Sequence, residues 1–210
     1  VGEDITHGYS PREVEASSRK VIYFGPFHAH WGHFLTEMVT RCWYLCKEID
    51  WSEWYVAYIK KSDTSLKDMG GSYLEFLELL GVPADRVFPV ERPTRFCRVV
   101  VPEVSNEPGK YYRDAFVGIF DKIREGVMVE DPGDPKVYFT RLKTKGLRNT
   151  QIGEKDICRI FRKNGYRIVA PERLSLREQV GILKQCEELV VIEGTLAHNI
   201  LFAKPGIRLT

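Results

Sequence analysis

Three histidines, a tryptophan and a glutamate fall within the eleven residues Phe27-His28-Ala29-His30-Trp31-Gly32-His33-Phe34-Leu35-Thr36-Glu37. Imidazole and carboxylate groups move protons near neutral pH, and imidazole is also a common zinc ligand. Two chemistries therefore compete with a structural reading, in which one or two of the histidines bond backbone or cover Trp31. In one, His33 or Glu37 takes a proton from a substrate hydroxyl. In the other, His28, His30 and His33 hold a metal for a hydrolase. These residue types alone do not separate the two.

A second group lies near the C-terminus. Arg141 closes an apolar run and Arg148 follows in a basic loop; arginine keeps its charge and grips phosphate bidentately. In Glu193-Gly194-Thr195-Leu196-Ala197-His198-Asn199, Gly194 lets backbone approach a ligand, and Thr195 opens a helix whose first amides favour an anion. Together these groups suit a diphosphate. The structural alternatives are a salt-bridged pair for Arg141 and Arg148, and simple helix capping for Thr195 and Asn199. Glu193 would accept a hydrogen bond from a ligand, or cap a turn.

The elements that must position these groups alternate along the chain. Lys20–Gly25 reads as a strand. An amphipathic helix is expected from His33 to Ile49, with His33, Glu37 and Arg41 on one face and Phe34, Met38, Cys42, Leu45 and Ile49 on another. The histidines thus sit at a strand-to-helix turn, where open α/β sheets bind ligands. Further strands are expected at Trp54–Ile59, Arg86–Val90, Phe96–Val101, Lys136–Thr140, Tyr166–Val169 and Glu188–Ile192. Helices are expected at Ser72–Leu80 with Ser72 as cap, Tyr111–Glu125, Glu154–Asn164, and from a Ser175/Glu178 capping box through Cys186. A last helix should run to Ala203. Val1–Ser18 reads as a polar arm. Glu130-Asp131-Pro132-Gly133-Asp134-Pro135 breaks both element types and suggests a boundary within 126–135, between domains at 1–127 and 135–210. The fold class is α/β with parallel sheets. A (β/α)8 barrel of typically about 250 residues does not fit the 210 here.

Composition is that of an ordinary globular chain, 43% apolar and 29% charged. No apolar run approaches the roughly 20 residues that span a bilayer. The five cysteines show no Cys-x-x-Cys pair and read as reduced core residues of a cytoplasmic protein. From Lys136 onward fifteen Lys and Arg face seven Asp and Glu, so the C-terminal half can attract a phosphorylated ligand. No basic stripe with interleaved aromatics suggests nucleic acid, and no Gly-x-Gly-x-x-Gly follows a strand. The ending Pro205–Thr210 reads as the start of another strand, which suggests a fragment of a longer protein.

Three blocks, in order, resemble glycosyltransferase family 61. They are His28-x-His30-Trp31-Gly32-His33-Phe34-Leu35-Thr36-Glu37; Tyr138-Phe139-Thr140-Arg141 with Arg148-Asn149 and Gly153-Glu154; and Pro171-Glu172-x-Leu174-Ser175-Leu176-x-Glu178-Gln179 with Gly194, Asn199-x-Leu201-Phe202 and Pro205-Gly206. The chain departs from the family pattern where Glu193 replaces a histidine, His198 stands where Thr is usual, and Gly153 precedes Glu154. The resemblance implies a GT-B-like fold, two Rossmann-like domains facing across a cleft, with the second cut short. It implies inverting, metal-independent transfer of a sugar from a nucleotide-sugar donor, itself a substrate rather than a cofactor. The acceptor would be a glycan or lipid-linked hydroxyl in bacterial capsular or surface polysaccharide synthesis. Glu37 and His33 would be catalytic, His28, His30 and Trp31 would contact substrate, and Arg141, Arg148, Glu193, Gly194, Thr195, His198 and Asn199 would bind the donor. Peripheral membrane association and oligomeric state stay open. The competing functions are the metal-dependent hydrolase and a non-catalytic sugar-binding relative.

Overall fold

The computed structural model describes residues 14–61, 69–129, 133–142 and 153–210. The first sheet contains β1 (Glu15–Phe27), β2 (Trp54–Lys60), β3 (Val87–Pro89) and β4 (Thr94–Val100), ordered β3-β2-β1-β4 and parallel throughout. β1 begins earlier than its apolar run. Glu15, Ala16 and Ser17 pair with Thr94, Arg95 and Phe96, because main-chain ladder bonds need no apolar side chains. Its pairing with β4 ends at Ile22 and Val100, so Tyr23–Phe27 run on beyond β4. The strand order reverses beside β1, which opens a crevice at its C-terminal end.

β5 (Asn106–Glu107) and β6 (Tyr111–Tyr112) form a small antiparallel ribbon where the apolar pattern suggested the first turn of a helix. The second sheet contains β7 (Lys136–Phe139), β8 (Arg167–Val169), β9 (Glu188–Val191) and β10 (Arg208–Leu209), ordered β10-β9-β7-β8, again parallel. Its order reverses between β7 and β9, which places the second crevice there.

The segment after β1 departs most from expectation. Instead of one α-helix it is a single α-turn, α1 (Trp31–His33), then a π-helical stretch Phe34–Met38, then a 3-10 helix Val39–Cys46. The cause is competition for its carbonyls. The Thr36 hydroxyl donates to Gly32 O at 2.9 Å. The Asn106 amide donates to Thr36 O at 2.7 Å, and the Ser105 hydroxyl and N–H donate to Thr40 O at 2.7 and 2.9 Å. Outside donors on these carbonyls replace regular i→i−4 bonds, a common origin of π-bulges at functional sites.

α2 (Ser72–Leu79), α3 (Asp114–Glu125), α4 (Glu154–Lys163) and α5 (Leu176–Gln185) follow the expected spacing. The capping box of Ser175 and Glu178 is present. Ser72 does not cap α2; that position belongs to Gly71, in a positive-φ conformation (53°), and no side chain caps the helix. The described cysteines are free, and Cys97 is exposed on β4 rather than in the core.

One contiguous apolar cluster joins the two sheets. Phe34 packs on Phe76 at 5.2 Å between ring centroids, Phe76 on Phe120 at 6.1 Å, and Phe120 on Phe202 at 5.3 Å. The carboxylate of Glu75 on α2 reaches across the seam to α5. It accepts from Leu176 N at 2.7 Å and Arg177 N at 2.9 Å, satisfying two N-terminal amides of a helix whose dipole favours a negative charge there. Glu75→Ala should cost about 1–2 kcal/mol, a Tm drop of roughly 2–8 °C for a chain of this size. A Tm equal to that of the wild type would mean that the carboxylate adds nothing to the seam.

Among the described residues no helix is long and apolar enough to cross a membrane.

Candidate active site

The two crevices meet. β1 leads into His28, His30 and α1, while β7 leads into Arg141 and β9 into Glu193–Thr195. The indole N–H of Trp31 donates to Asn199 Oδ1 at 2.7 Å. Gly32 is buried against the facing 3-10 helix Thr195–Phe202. A Cβ there would lie 3.0 Å from the His198 ring and 3.6 Å from the Thr195 hydroxyl. A side chain at 32 would therefore require the His198 ring to shift.

Around the histidines, the rings of His28, His30 and His33 stand 4.4–6.3 Å apart between centroids. His30 caps α1, its Nδ1 accepting from His33 N at 3.4 Å, so this ring has a structural use. His33 Nδ1 bonds Glu37 Oε1 at 2.6 Å, both side chains about half exposed. With Nδ1–H given to the carboxylate, Nε2 carries the lone pair and points the basic nitrogen away from Glu37. The pairing uses the i, i+4 spacing seen in the sequence, and Arg41 takes no part in it: its guanidinium lies over the Tyr23 ring. Burial, then the Lys61 charge and the two neighbouring imidazoles, hold His28 below the usual histidine pKa. Among the described residues no three His, Cys, Asp or Glu side chains are arranged to hold a metal ion.

On the opposite side, Arg141 and Gly194 are in contact: a Cβ on Gly194 would lie 3.4 Å from the Arg141 guanidinium. Gly194 has a positive φ of 126°, so both its backbone and this neighbour favour glycine. Among the described residues Arg141 makes no ion pair. A cavity of about 480 Å3 opens here, bounded among others by Trp31, Tyr73, Arg141, Glu172, Thr195 and Asn199. His33 and Glu37 stand outside its wall, two and six residues beyond Trp31. Glu193 is exposed and His198 half-buried against Gly32. Arg148 lies outside the described residues.

The glycosyltransferase 61 family profile matches residues 31–210. The chain belongs to glycosyltransferase family 61. The three blocks that carried the resemblance are thus family sequence, apart from His28 and His30, which precede the matched span. No curated protein sequence matches the chain. Among solved structures, the bacterial iron-containing dodecameric glycosyltransferase TibC from enterotoxigenic E. coli H10407 is similar at 10% identity and a TM-score of 0.42, over 93% of this chain and 58% of TibC. The chain therefore spans a little over half the length of that relative.

Two supporting residues of this family 61 site were not singled out by their types. Glu154, only 3% exposed, accepts from Arg141 N at 2.6 Å and the Thr140 hydroxyl at 2.7 Å, fixing the backbone that carries Arg141. The nearby Tyr138 hydroxyl is buried, and desolvation, then Glu154 and Cys158, hold its pKa well above the usual tyrosine value. Gln179 donates to Pro171 O at 3.0 Å and Leu174 O at 3.2 Å, and its Oε1 accepts from Asn199 Nδ2 at 2.9 Å. Gln179, Asn199 and Trp31 thus form a chain in which each amide orientation is dictated by the next. Both residues stood in the family-like blocks, but their partners are separated in sequence by 5 to 20 positions.

Proposed function

We propose that this family 61 protein transfers a sugar from a nucleoside-diphosphate sugar to a hydroxyl acceptor with inversion. The acceptor oxygen attacks the anomeric carbon, the bond from that carbon to the diphosphate breaks, and the hydroxyl proton passes to His33. Glu37 orients the His33 ring and stabilises the imidazolium that forms, a base–orienter arrangement. Arg141, with Gly194 and Thr195, receives the charge that grows on the leaving diphosphate. Arg148, Glu193 and His198 complete the donor side, Asn199 supports it from behind through its bonds to Trp31 and Gln179, and His28 and His30 contact substrate. In this reading the parts at 1–127 and 135–210 are the two halves of a GT-B-like arrangement, and charge on the diphosphate is met by arginine without a metal. The acceptor class is a glycan or lipid-linked glycan of a bacterial surface polysaccharide, made at the cytoplasmic side.

One observation carries the proposal. A half-buried arginine with no acidic partner among the described residues borders a cavity beside a glycine and the opening of a helix. A cation left unpaired in such a place is arranged for an anionic ligand.

Thermal melting against ADP, UDP, GDP and CDP, with and without EDTA, tests it. At about 100 times Kd a nucleotide that binds only the folded chain adds about 2.7 kcal/mol, a rise of roughly 5–10 °C. A rise for one nucleotide, indifferent to EDTA, is expected. No rise with any of the four would sink the donor assignment. A large loss of stability in EDTA would revive the histidine metal site.

A further inference from the structure

Trp31 is held in an unusual way for a residue at a substrate cavity. Its indole N–H, the only polar group it has, is committed to Asn199. Asn199 is 1% exposed and Gln179 6%, and the chain of amides behind them ends on the carbonyls of Pro171 and Leu174. On one side the indole stacks on Phe34, with ring centroids 5.5 Å apart and planes 15° from parallel, and Tyr73 meets it edge-on at 5.5 Å. Trp31 nevertheless borders the cavity and is only half-buried. What it can offer a ligand is π-surface, and nothing that donates or accepts a hydrogen bond.

Its place in the reaction follows from the groups on either side. Arg141, Gly194 and Thr195 mark the diphosphate end of the cavity. The His33–Glu37 pair, two and six residues beyond Trp31 on the same irregular helix, marks the attacking hydroxyl. In an inverting transfer the sugar's anomeric carbon lies between the leaving diphosphate and the nucleophile. Trp31 is the wall residue between the two groups, hydrogen-bonded to Asn199 on the helix that Thr195 opens and continuous in the chain with His33.

We propose that Trp31 is the platform for the donor's sugar ring, selecting by stacking against the C–H face of a pyranose rather than by hydrogen bonding. This inference rests on the donor assignment above. It implies that a sugar with a continuous C–H face is favoured over one whose hydroxyls interrupt it. The Asn199–Gln179 relay acts as a positioning device that keeps the indole plane at one angle to the cavity.

The test compares affinities by calorimetry for ADP with ADP-glucose, UDP with UDP-glucose, and GDP with GDP-mannose. Wild type, Trp31→Phe and Trp31→Ala are measured, with melting curves to confirm folding. For the nucleotide that binds, Trp31→Ala should weaken the nucleotide sugar by about tenfold or more, the scale of losing one stacked ring. The bare diphosphate should change little, and Trp31→Phe should retain most of the sugar-dependent affinity, although it removes the bond to Asn199. Equal loss for diphosphate and nucleotide sugar would place the base or phosphates on Trp31 and overturn the proposal. Unchanged affinity for both in Trp31→Ala would overturn it as well. If Trp31→Ala does not fold, Trp31→Phe and Trp31→Leu decide: the ring-bearing variant must bind the nucleotide sugar better, and equality between them overturns stacking. A wild-type chain that binds none of the six compounds refutes the donor assignment itself, a result separate from any difference between variants.

Discussion

His33→Ala should lower kcat by about 10²–10⁴-fold while leaving nucleotide-sugar affinity nearly unchanged, because in the proposed mechanism a general base acts on the moving proton and not on the bound donor. Glu37→Gln should lower kcat by a smaller factor. Its amide oxygen can still accept the His33 Nδ1–H across the 2.6 Å contact, so ring orientation survives while the charge that stabilises the imidazolium is lost. The ranking is the informative part. A larger loss in Glu37→Gln than in His33→Ala would make Glu37 the base and His33 its companion. Full activity in both would remove this pair from the mechanism. Neither substitution should disturb the fold strongly, since both side chains are about half exposed.

Arg141→Ala should give the second large effect, a loss of about 10²–10³-fold in kcat, the scale of removing one group that stabilises developing anionic charge, together with weaker diphosphate binding. Arg141→Lys should restore part of the binding and little of the rate, because an ammonium is a point charge and cannot grip two oxygens at once. Melting temperature separates this from a structural role. Arg141 makes no ion pair among the described residues, so Arg141→Ala should leave Tm within a degree or two, about the range of substitutions that break no named contact. A marked fall in Tm with unchanged diphosphate affinity would assign Arg141 to structure. Glu154, which holds the Arg141 backbone from a buried position, should affect both.

Local patterns in the chain were enough to specify most of the secondary structure. The second half of β1, and the strands β2 and β7, are apolar runs bounded by turn residues, and α5 announces itself through its Ser175/Glu178 box; each depends on interactions within a few residues. The same holds for the His33–Glu37 pair, since four positions on one helical turn bring the side chains together whether or not the turn is regular. The three family-like blocks pointed to family 61 because order and spacing survive in sequence when contacts do not.

What only the tertiary structure decided depends on groups far apart in the chain. Ser105 and Asn106 take carbonyls from the segment after β1 and turn an expected α-helix into π and 3-10 turns; a period of about 3.6 residues carries no trace of donors some 65 positions away. Tyr111 and Tyr112 join a ribbon rather than α3 because Asn106 and Glu107 offer them a partner. Glu75 looks like an ordinary exposed helix residue until α5 is seen to begin at its carboxylate. Most of all, Trp31 and Asn199 lie 168 positions apart, and their hydrogen bond exists because two sheets place their crevices against each other. Candidate residue types for acid–base and anion-binding chemistry could be named from sequence, because such chemistry depends on side-chain identity. Which of them face one cavity could not, because that is settled by packing the two sheets on a shared core.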